Sequence, residues 1–210
     1  MLHLIVFYIL FLSSQDLYSQ SEVKIGNQVW TSKNLDVSTF RNGDPIRYAS
    51  TKQEWLNAAR KQKGAWCYYN NDPKNEEKYG KLYNWYAVND PRGLAPLGYH
   101  IPSDAEWSVL VEYLGGEENA GFKMKSTTGW NNKGNGDNSS GLNGLPGGCR
   151  QYKGDFNGIG ENSFWWSSSK LNAGSSWRSA WNRILGCNYS QVLRIYDYMS
   201  EGYSVRCLKD

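Results

Sequence analysis

Short alternating patterns of apolar and polar residues occur at both ends of the chain. Val23 and Ile25 precede Gly26-Asn27, and Val29 follows, a spacing that predicts two strands joined by a tight turn. Residues 202–208 alternate in the same way and predict a terminal strand. Further short strands between turns are predicted at 164–168, 177–185 and 192–196.

Three segments have the spacing or the caps of helices. Thr51 and Glu54 form a capping box that predicts a helix to about residue 61, and apolar residues at i, i+3 and i+4 predict a second helix over 79–88. A second capping box, Ser103 and Glu106, begins a third helix. We expect the apolar stripe of that helix in the core; it consists of Trp107, Leu110, Val111 and Leu114.

The order of these elements indicates the fold class. The helices come first, and the chain from 126 onward is rich in Gly, Asn and Ser between short strands. Short helices followed by loop-rich antiparallel β-structure are typical of an α+β domain. The segment 20–210 has the size of one domain.

The first residues have the anatomy of an export signal. An apolar run from Leu2 to Leu12 is too short to cross a bilayer and is followed by a polar stretch with small Ser19, so we predict a signal peptide over 1–19. No cysteine follows the run before Cys67, which argues against a lipid anchor. We therefore expect a secreted or cell-surface protein without a membrane anchor.

The charge of the chain bears on its partners, and its cysteine content bears on disulfide formation. The chain has 23 Lys and Arg against 20 Asp and Glu, with no basic cluster, so nucleic acid is not an expected partner. Export makes disulfides the expected state of the four cysteines, which allow three pairings. Those cysteines are Cys67, Cys149, Cys187 and Cys207.

Tryptophans in the loop-rich half suggest a recognition function, because scaffolds display contact residues on loops. We expect Trp165 and Trp166 in the core and Trp130 on the surface. The predicted ligand-binding residues, for a glycan or an extracellular protein, are Trp130, Asn132, Trp177, Trp181 and Arg183. Calcium is the one candidate cofactor, with oxygen ligands from Asn135, Asp137 and Asn138.

Catalysis has weaker support in the sequence. The only histidines are His3 and His100, no Ser/His/Asp context is present, and Glu117-Glu118 has the character of a solvated charge run. We expect His100 to be structural and the protein not to be an enzyme. The alternative to recognition is a structural surface domain that supports assembly.

Several motifs together resemble one known family. Lys81–Val88 (KLYNWYAV), Gly98–Trp107 (GYHIPSDAEW) and Gly202–Cys207 (GYSVRC) are similar to the Fibrobacter succinogenes major paralogous domain family. That family occurs in secreted and surface proteins of bacteria and has no established activity. Its distant similarity to C-type lectin-like folds, including the formylglycine-generating enzymes, implies paired N- and C-terminal strands.

The resemblance also bears on the cysteines. The family pattern implies the pairs Cys67 with Cys207 and Cys149 with Cys187. Formylglycine-generating enzymes bind copper through closely spaced cysteines, which this chain lacks. Sugar-binding C-type lectins carry E-P-N or Q-P-D and W-N-D triplets, which Trp181-Asn182-Arg183 only approximates. Neither copper chemistry nor calcium-dependent sugar binding is therefore expected.

Overall fold

A computed structural model describes residues 21–171 and 178–210. The predicted signal peptide and Trp177 lie outside the described residues. Within the described ranges, no helix is both long enough and apolar enough to cross a membrane. The described chain is a mixed α+β structure that consists mostly of β-sheet.

The strands are short and occur along the whole described chain. In order they are β1 (Glu22–Ile25), β2 (Gln28–Thr31), β3 (Arg47–Tyr48), β4 (Ala65–Cys67), β5 (Leu82–Asn84), β6 (Tyr99–His100), β7 (Gly147–Arg150), β8 (Phe156–Ile159), β9 (Asn162–Lys170), β10 (Ser179–Gly186), β11 (Leu193–Tyr198), β12 (Gly202–Tyr203) and β13 (Leu208–Lys209). The helices are α1 (Lys52–Arg60), α2 (Glu76–Tyr79), α3 (Trp85–Val88), α4 (Asp104–Tyr113) and α5 (Glu117–Met124). Two 3-10 turns, Tyr69–Asn71 and Pro73–Asn75, precede α2.

The strands form two sheets that the C-terminal segment joins. The small sheet has the order β1-β2-β13-β6, and the large one has the order β11-β10-β9-β7-β12-β5-β4-β3, with β8 against β7. Most pairs are antiparallel, but β3 with β4 and β7 with β9 are parallel. Leu208 of β13 pairs with Trp30 of β2, so the predicted pairing of N- and C-terminal strands is confirmed.

Local sequence signals place three elements correctly. Gly26-Asn27 joins β1 to β2 as a two-residue turn, and Gly26 has the positive φ of 61° that such turns favour. Both capping boxes are present, at Thr51 before α1 and at Ser103 before α4. The predicted stripe of α4 is buried, at Trp107, Leu110, Val111 and Leu114.

The predicted helix over 79–88 is wrong. Gly80, with φ 71°, ends α2, and the chain then extends as β5 between β4 and β12. Asn84 restarts helical structure by accepting a hydrogen bond from the Ala87 amide. The apolar spacing was helical, but the main-chain hydrogen bonds of two neighbouring strands decide the conformation of Leu82–Asn84.

The second half follows its predicted pattern in part. The strands at 164–168, 177–185 and 192–196 correspond to β9, β10 and β11, whereas helix α5 was not predicted. The terminal segment is strand only at β12 and β13, and every residue of 202–207 is buried, including Ser204 and Arg206. The alternating apolar and polar side chains of this segment therefore have buried surroundings on both sides, rather than the core on one side and solvent on the other.

Three clusters of buried side chains form the core. The central cluster includes Tyr83, Trp85, Cys149, Trp166, Val205 and Cys207. The helix cluster includes Trp30, Trp107, Leu110, Trp130, Trp165 and Cys187, and the edge cluster includes Trp55, Cys67, Tyr69 and Leu82. Trp165 and Trp166 are fully buried, as expected.

The cysteines do not form the expected disulfides. All four are buried free thiols, and each expected pair joins two different clusters: Cys67 with Cys207, and Cys149 with Cys187. A disulfide needs Cα atoms within about 7 Å, and the structure shows no disulfide between any two of the four cysteines. Burial raises the pKa values of Cys67, Cys149 and Cys207 to about 12.

All four thiols should resist alkylation in the native protein because they are buried, and the raised pKa values of Cys67, Cys149 and Cys207 further reduce the reactive thiolate. We expect iodoacetamide to leave the native protein unlabelled and to label four thiols per chain after unfolding in urea without reductant. Peptide mass spectrometry measures the labelled positions. Two or fewer labelled cysteines after unfolding would contradict the free-thiol state.

Candidate functional site

The structure describes four of the five predicted ligand-binding residues and does not bring them together at one site; Trp177 lies outside the described residues. Trp130, expected on the surface, is 5% exposed and belongs to the helix cluster. Its indole Nε1 donates to Ser126 Oγ and to the Gly144 carbonyl, both at 3.1 Å. The expectation of an exposed Trp130 is therefore wrong, because the Gly- and Asn-rich loop folds over the ring instead of displaying it.

The other three predicted residues that the structure describes lie in two places. Asn132 is exposed and donates to Asn188 Oδ1 at 3.2 Å. Trp181 and Arg183 share one face of β10, since side chains two apart on a strand point the same way. Arg183 is 1% exposed and forms an ion pair with Asp104 at 2.7 Å. Trp181 is half-buried.

The predicted calcium ligands have other partners. Asn135 Oδ1 accepts from the Trp130 amide, Asp137 Oδ1 from the Ser139 amide, and Asn138 Oδ1 from the Asn143 amide. These hydrogen bonds, 2.8 to 3.1 Å long, fold the loop. In the described part of the chain, no three His, Cys, Asp or Glu side chains are grouped to hold a metal ion.

A row of exposed side chains occupies β11, the terminal strand of the large sheet. Arg194, Tyr196 and Tyr198 alternate along it and point to one face. Trp181 of β10 lies directly opposite Tyr196, with ring centroids 5.6 Å apart and planes at 87°. Tyr152 packs against Tyr198 at 5.0 Å. We call these five residues the aromatic face.

The tyrosines are the accessible rings of the aromatic face. Tyr196 is 54% exposed, Tyr152 41% and Tyr198 37%. Trp181 is half-buried, because the Arg194 guanidinium lies 3.8 Å from its ring centroid. Large exposed aromatic side chains that cluster, rather than scatter, mark interaction surfaces.

Asp104 fixes the charged border of the aromatic face. Its carboxylate binds Arg194 Nη2 at 2.7 Å and Arg183 Nη1 at 2.7 Å. Burial opposes ionisation of Asp104, but the two guanidinium groups outweigh it and lower the pKa of the carboxyl. The ion pair thereby holds the Arg194 guanidinium over the Trp181 ring.

One protein-family model matches most of the chain. The model of the Fibrobacter succinogenes major domain matches residues 23–209. The chain belongs to this family. No curated protein and no solved structure matches it.

In this Fibrobacter succinogenes major domain, a polar cluster separate from the aromatic face surrounds His100. The ring lines an open cleft of about 530 Å³ and lies between Asp210 Oδ1, 2.8 Å from Nδ1, and Glu106 Oε1, 3.0 Å from Nε2. Burial opposes the charge on His100, but the two hydrogen bonds outweigh it and raise its pKa. Both ring nitrogens are engaged, so His100 links the start of α4 to the C-terminal residue.

Sequence reasoning missed most of the aromatic face. The alternation of Arg194, Tyr196 and Tyr198 is visible in the sequence and could have identified them as one face of a strand. Their juxtaposition with Trp181 and Tyr152 depends on strand register and on the loop after β7. No pattern within the sequence specifies that register.

Proposed function

We propose that this protein is a secreted or cell-surface, non-catalytic recognition module that binds glycans through the aromatic face. The observation that carries the proposal is the exposed ring row of Tyr196 and Tyr198, bordered by the fixed guanidinium of Arg194. A pyranose has apolar C–H faces and hydroxyl edges. Aromatic rings with polar tips beside a charged group complement both.

The composition of the face agrees with this proposal. Tyrosine and tryptophan supply rigid contact area with few rotatable bonds, and Arg and aromatic residues dominate binding energies at interfaces. The engagement of both ring nitrogens of His100 by carboxylates supports a structural rather than a catalytic role for that residue. The predicted export signal over 1–19 supports the extracellular location.

Tyr196→Ala is the variant that tests the proposal. We expect it to weaken binding at least tenfold to any glycan retained by the wild type on a glycan array, because it removes the most exposed ring of the face. The melting temperature should stay near that of the wild type. Calorimetric titration with the retained glycan measures the affinity.

Tyr113→Ala is the matched control. Tyr113 is 65% exposed on α4, outside the aromatic face, and its removal should leave binding unchanged. Equal losses for the two variants, or retention of no glycan by the wild type, would contradict the proposal.

One observation favours a second candidate, a structural domain that supports assembly. Strand β11 is at the end of the large sheet, and an edge strand can pair with another chain. Concentration-dependent oligomers that Tyr196→Ala leaves intact, combined with no glycan retention, would favour this alternative.

The finer description of the fold is also a proposal. We infer a C-type lectin-like arrangement, supported by the pairing of β2 with β13 and by the loop-rich second half. An experimental structure that superposes on C-type lectin-like domains over both sheets would test it.

A further inference from the structure

A cleft separate from the aromatic face lies between the segment after β2 and helix α2. Its volume is about 310 Å³, within the range of small-molecule sites. Its lining includes Ser32, Lys33 and Asp36 from the segment after β2, Glu77 and Lys78 from α2, and the buried Arg206. We call it the Arg206 cleft.

Arg206 brings a buried positive charge to this cleft. Its side chain is 1% exposed, and within the described residues no carboxylate lies at ion-pair distance from it. Nε donates to Asn34 Oδ1 at 2.7 Å, and Nη1 donates to the carbonyls of Thr31 and Leu142 at 2.8 and 2.9 Å. Burial lowers the pKa of Arg206 to about 9, which reflects a cation without a counter-charge.

One end of the guanidinium retains donor capacity. Nη2 carries two N–H groups, and among the described residues it donates to the Asn143 carbonyl, at 3.2 Å. Asn143 and Arg206 both line the cleft. A planar guanidinium is a preferred partner for carboxylate oxygens, and such a bond is stronger in a buried site than in water.

Two lysines place further positive charge around the same cleft. Lys33 and Lys78 are exposed, and in the described ranges neither forms an ion pair. Both line the same cleft as Arg206. The cleft is thus enclosed by three cations that come from distant parts of the sequence.

The acidic residues of the cleft restrict the charge of its ligand. Asp36, Glu76 and Glu77 line it, and Glu76 is already paired with Lys81, which also donates to the Asp36 carbonyl. Four cations, counting Lys81, against three carboxylates leave one positive charge. A single carboxylate balances that charge, whereas a phosphate monoester, with a charge near −2, does not.

We propose that the Arg206 cleft binds a small ligand with one carboxylate, such as a uronic acid, with the carboxylate between Arg206 Nη2 and the ammonium groups of Lys33 and Lys78. Two polar side chains of the lining can add hydrogen bonds: the Ser32 hydroxyl, which donates to the Ser21 carbonyl, can still accept, and the Asn143 amide can donate and accept. This site is independent of the aromatic face and adds recognition of acidic groups to the protein.

Calorimetric titration of the purified protein tests this proposal with matched probes. Galacturonate should bind at least tenfold more tightly than galactose, which has the same ring without the carboxylate. Inorganic phosphate should also bind more weakly than galacturonate. N-acetylalanine distinguishes the source of the carboxylate: binding equal to that of galacturonate means that the site recognises the carboxylate alone, and weaker binding means that it also recognises the sugar.

Variants locate the site. Lys33→Gln and Lys78→Gln should each weaken galacturonate binding by about tenfold, since each loses one charged contact. Lys24→Gln is the control, because Lys24 is an exposed lysine on β1 away from the cleft lining. Equal affinity for galactose and galacturonate, or equal losses for Lys24→Gln and Lys78→Gln, would overturn the proposal. Tyr196→Ala should leave this binding unchanged, so the two sites fail or succeed separately.

Discussion

Asn34→Ala is expected to destabilise the protein by about 3 to 5 kcal/mol, because one side chain satisfies four groups from separate parts of the fold. Its Oδ1 accepts from Trp165 Nε1 at 2.9 Å and from Arg206 Nε at 2.7 Å. Its Nδ2 donates to the Tyr79 carbonyl at 2.8 Å and to Ser204 Oγ at 3.2 Å. Alanine leaves all four without this partner.

The largest part of the loss comes from the two donors. Arg206 and Trp165 are buried, so an unmade hydrogen bond from either carries a desolvation penalty of about 1 to 3 kcal/mol. Urea unfolding followed by tryptophan fluorescence measures the change in free energy. Asn57→Ala is the control, because Asn57 is exposed on α1 and its removal should change stability by less than about 0.5 kcal/mol. A loss below about 1 kcal/mol for Asn34→Ala would contradict this account.

The hydrogen bonds of Asn34 also show why some parts of the fold can be predicted from the sequence and other parts cannot. The capping boxes at Thr51 and Ser103 involve residues three apart, so the sequence specifies them. Asn34 contacts residues 45 to 172 positions away, and nothing in its local sequence distinguishes it from a loop asparagine. Long-range hydrogen bonds of this kind determine where the C-terminal segment lies.

The incorrect predictions for 79–88 and for Trp130 also result from contacts that the local sequence does not reveal. Leu82–Asn84 has helical spacing but is held as strand by β4 and β12, which come from distant sequence. Trp130 follows Gly129 in a polar loop, yet the ring is sequestered because the loop closes over it. The charges of the Arg206 cleft come from residues 33, 78 and 206, so no motif could have grouped them.

Glu201→Gln is expected to stabilise the protein at alkaline pH and to leave it nearly unchanged near pH 4. Glu201 is 8% exposed, and burial raises its pKa from 4.5 to about 8, against the opposing hydrogen bond from the Tyr152 amide. The nearby carboxylate of Asp197 raises it further. That carboxylate accepts from Tyr203 Oη at 2.8 Å and from Asn182 Nδ2 at 3.0 Å.

The sign of the pH dependence follows from the direction of this shift. Because the folded pKa is above the unfolded one, the folded protein keeps a proton that the unfolded chain releases between pH 4.5 and 8. The contribution to stability is complete below pH 4.5 and is lost as the pH rises to about 8. At about 1.4 kcal/mol per pKa unit, the total loss is about 5 kcal/mol.

Urea unfolding of the wild type and of Glu201→Gln at pH 5, 7 and 9 tests this expectation. Glutamine has the shape of the protonated acid but does not ionise, so the advantage of the variant should grow from pH 5 to pH 9. Glu112→Gln is the control: Glu112 is exposed on α4, and its replacement should give a curve parallel to that of the wild type. An advantage of Glu201→Gln that is the same at all three pH values would mean that the substitution acts through packing. The carboxyl beside Asp197 would then not be the group that titrates.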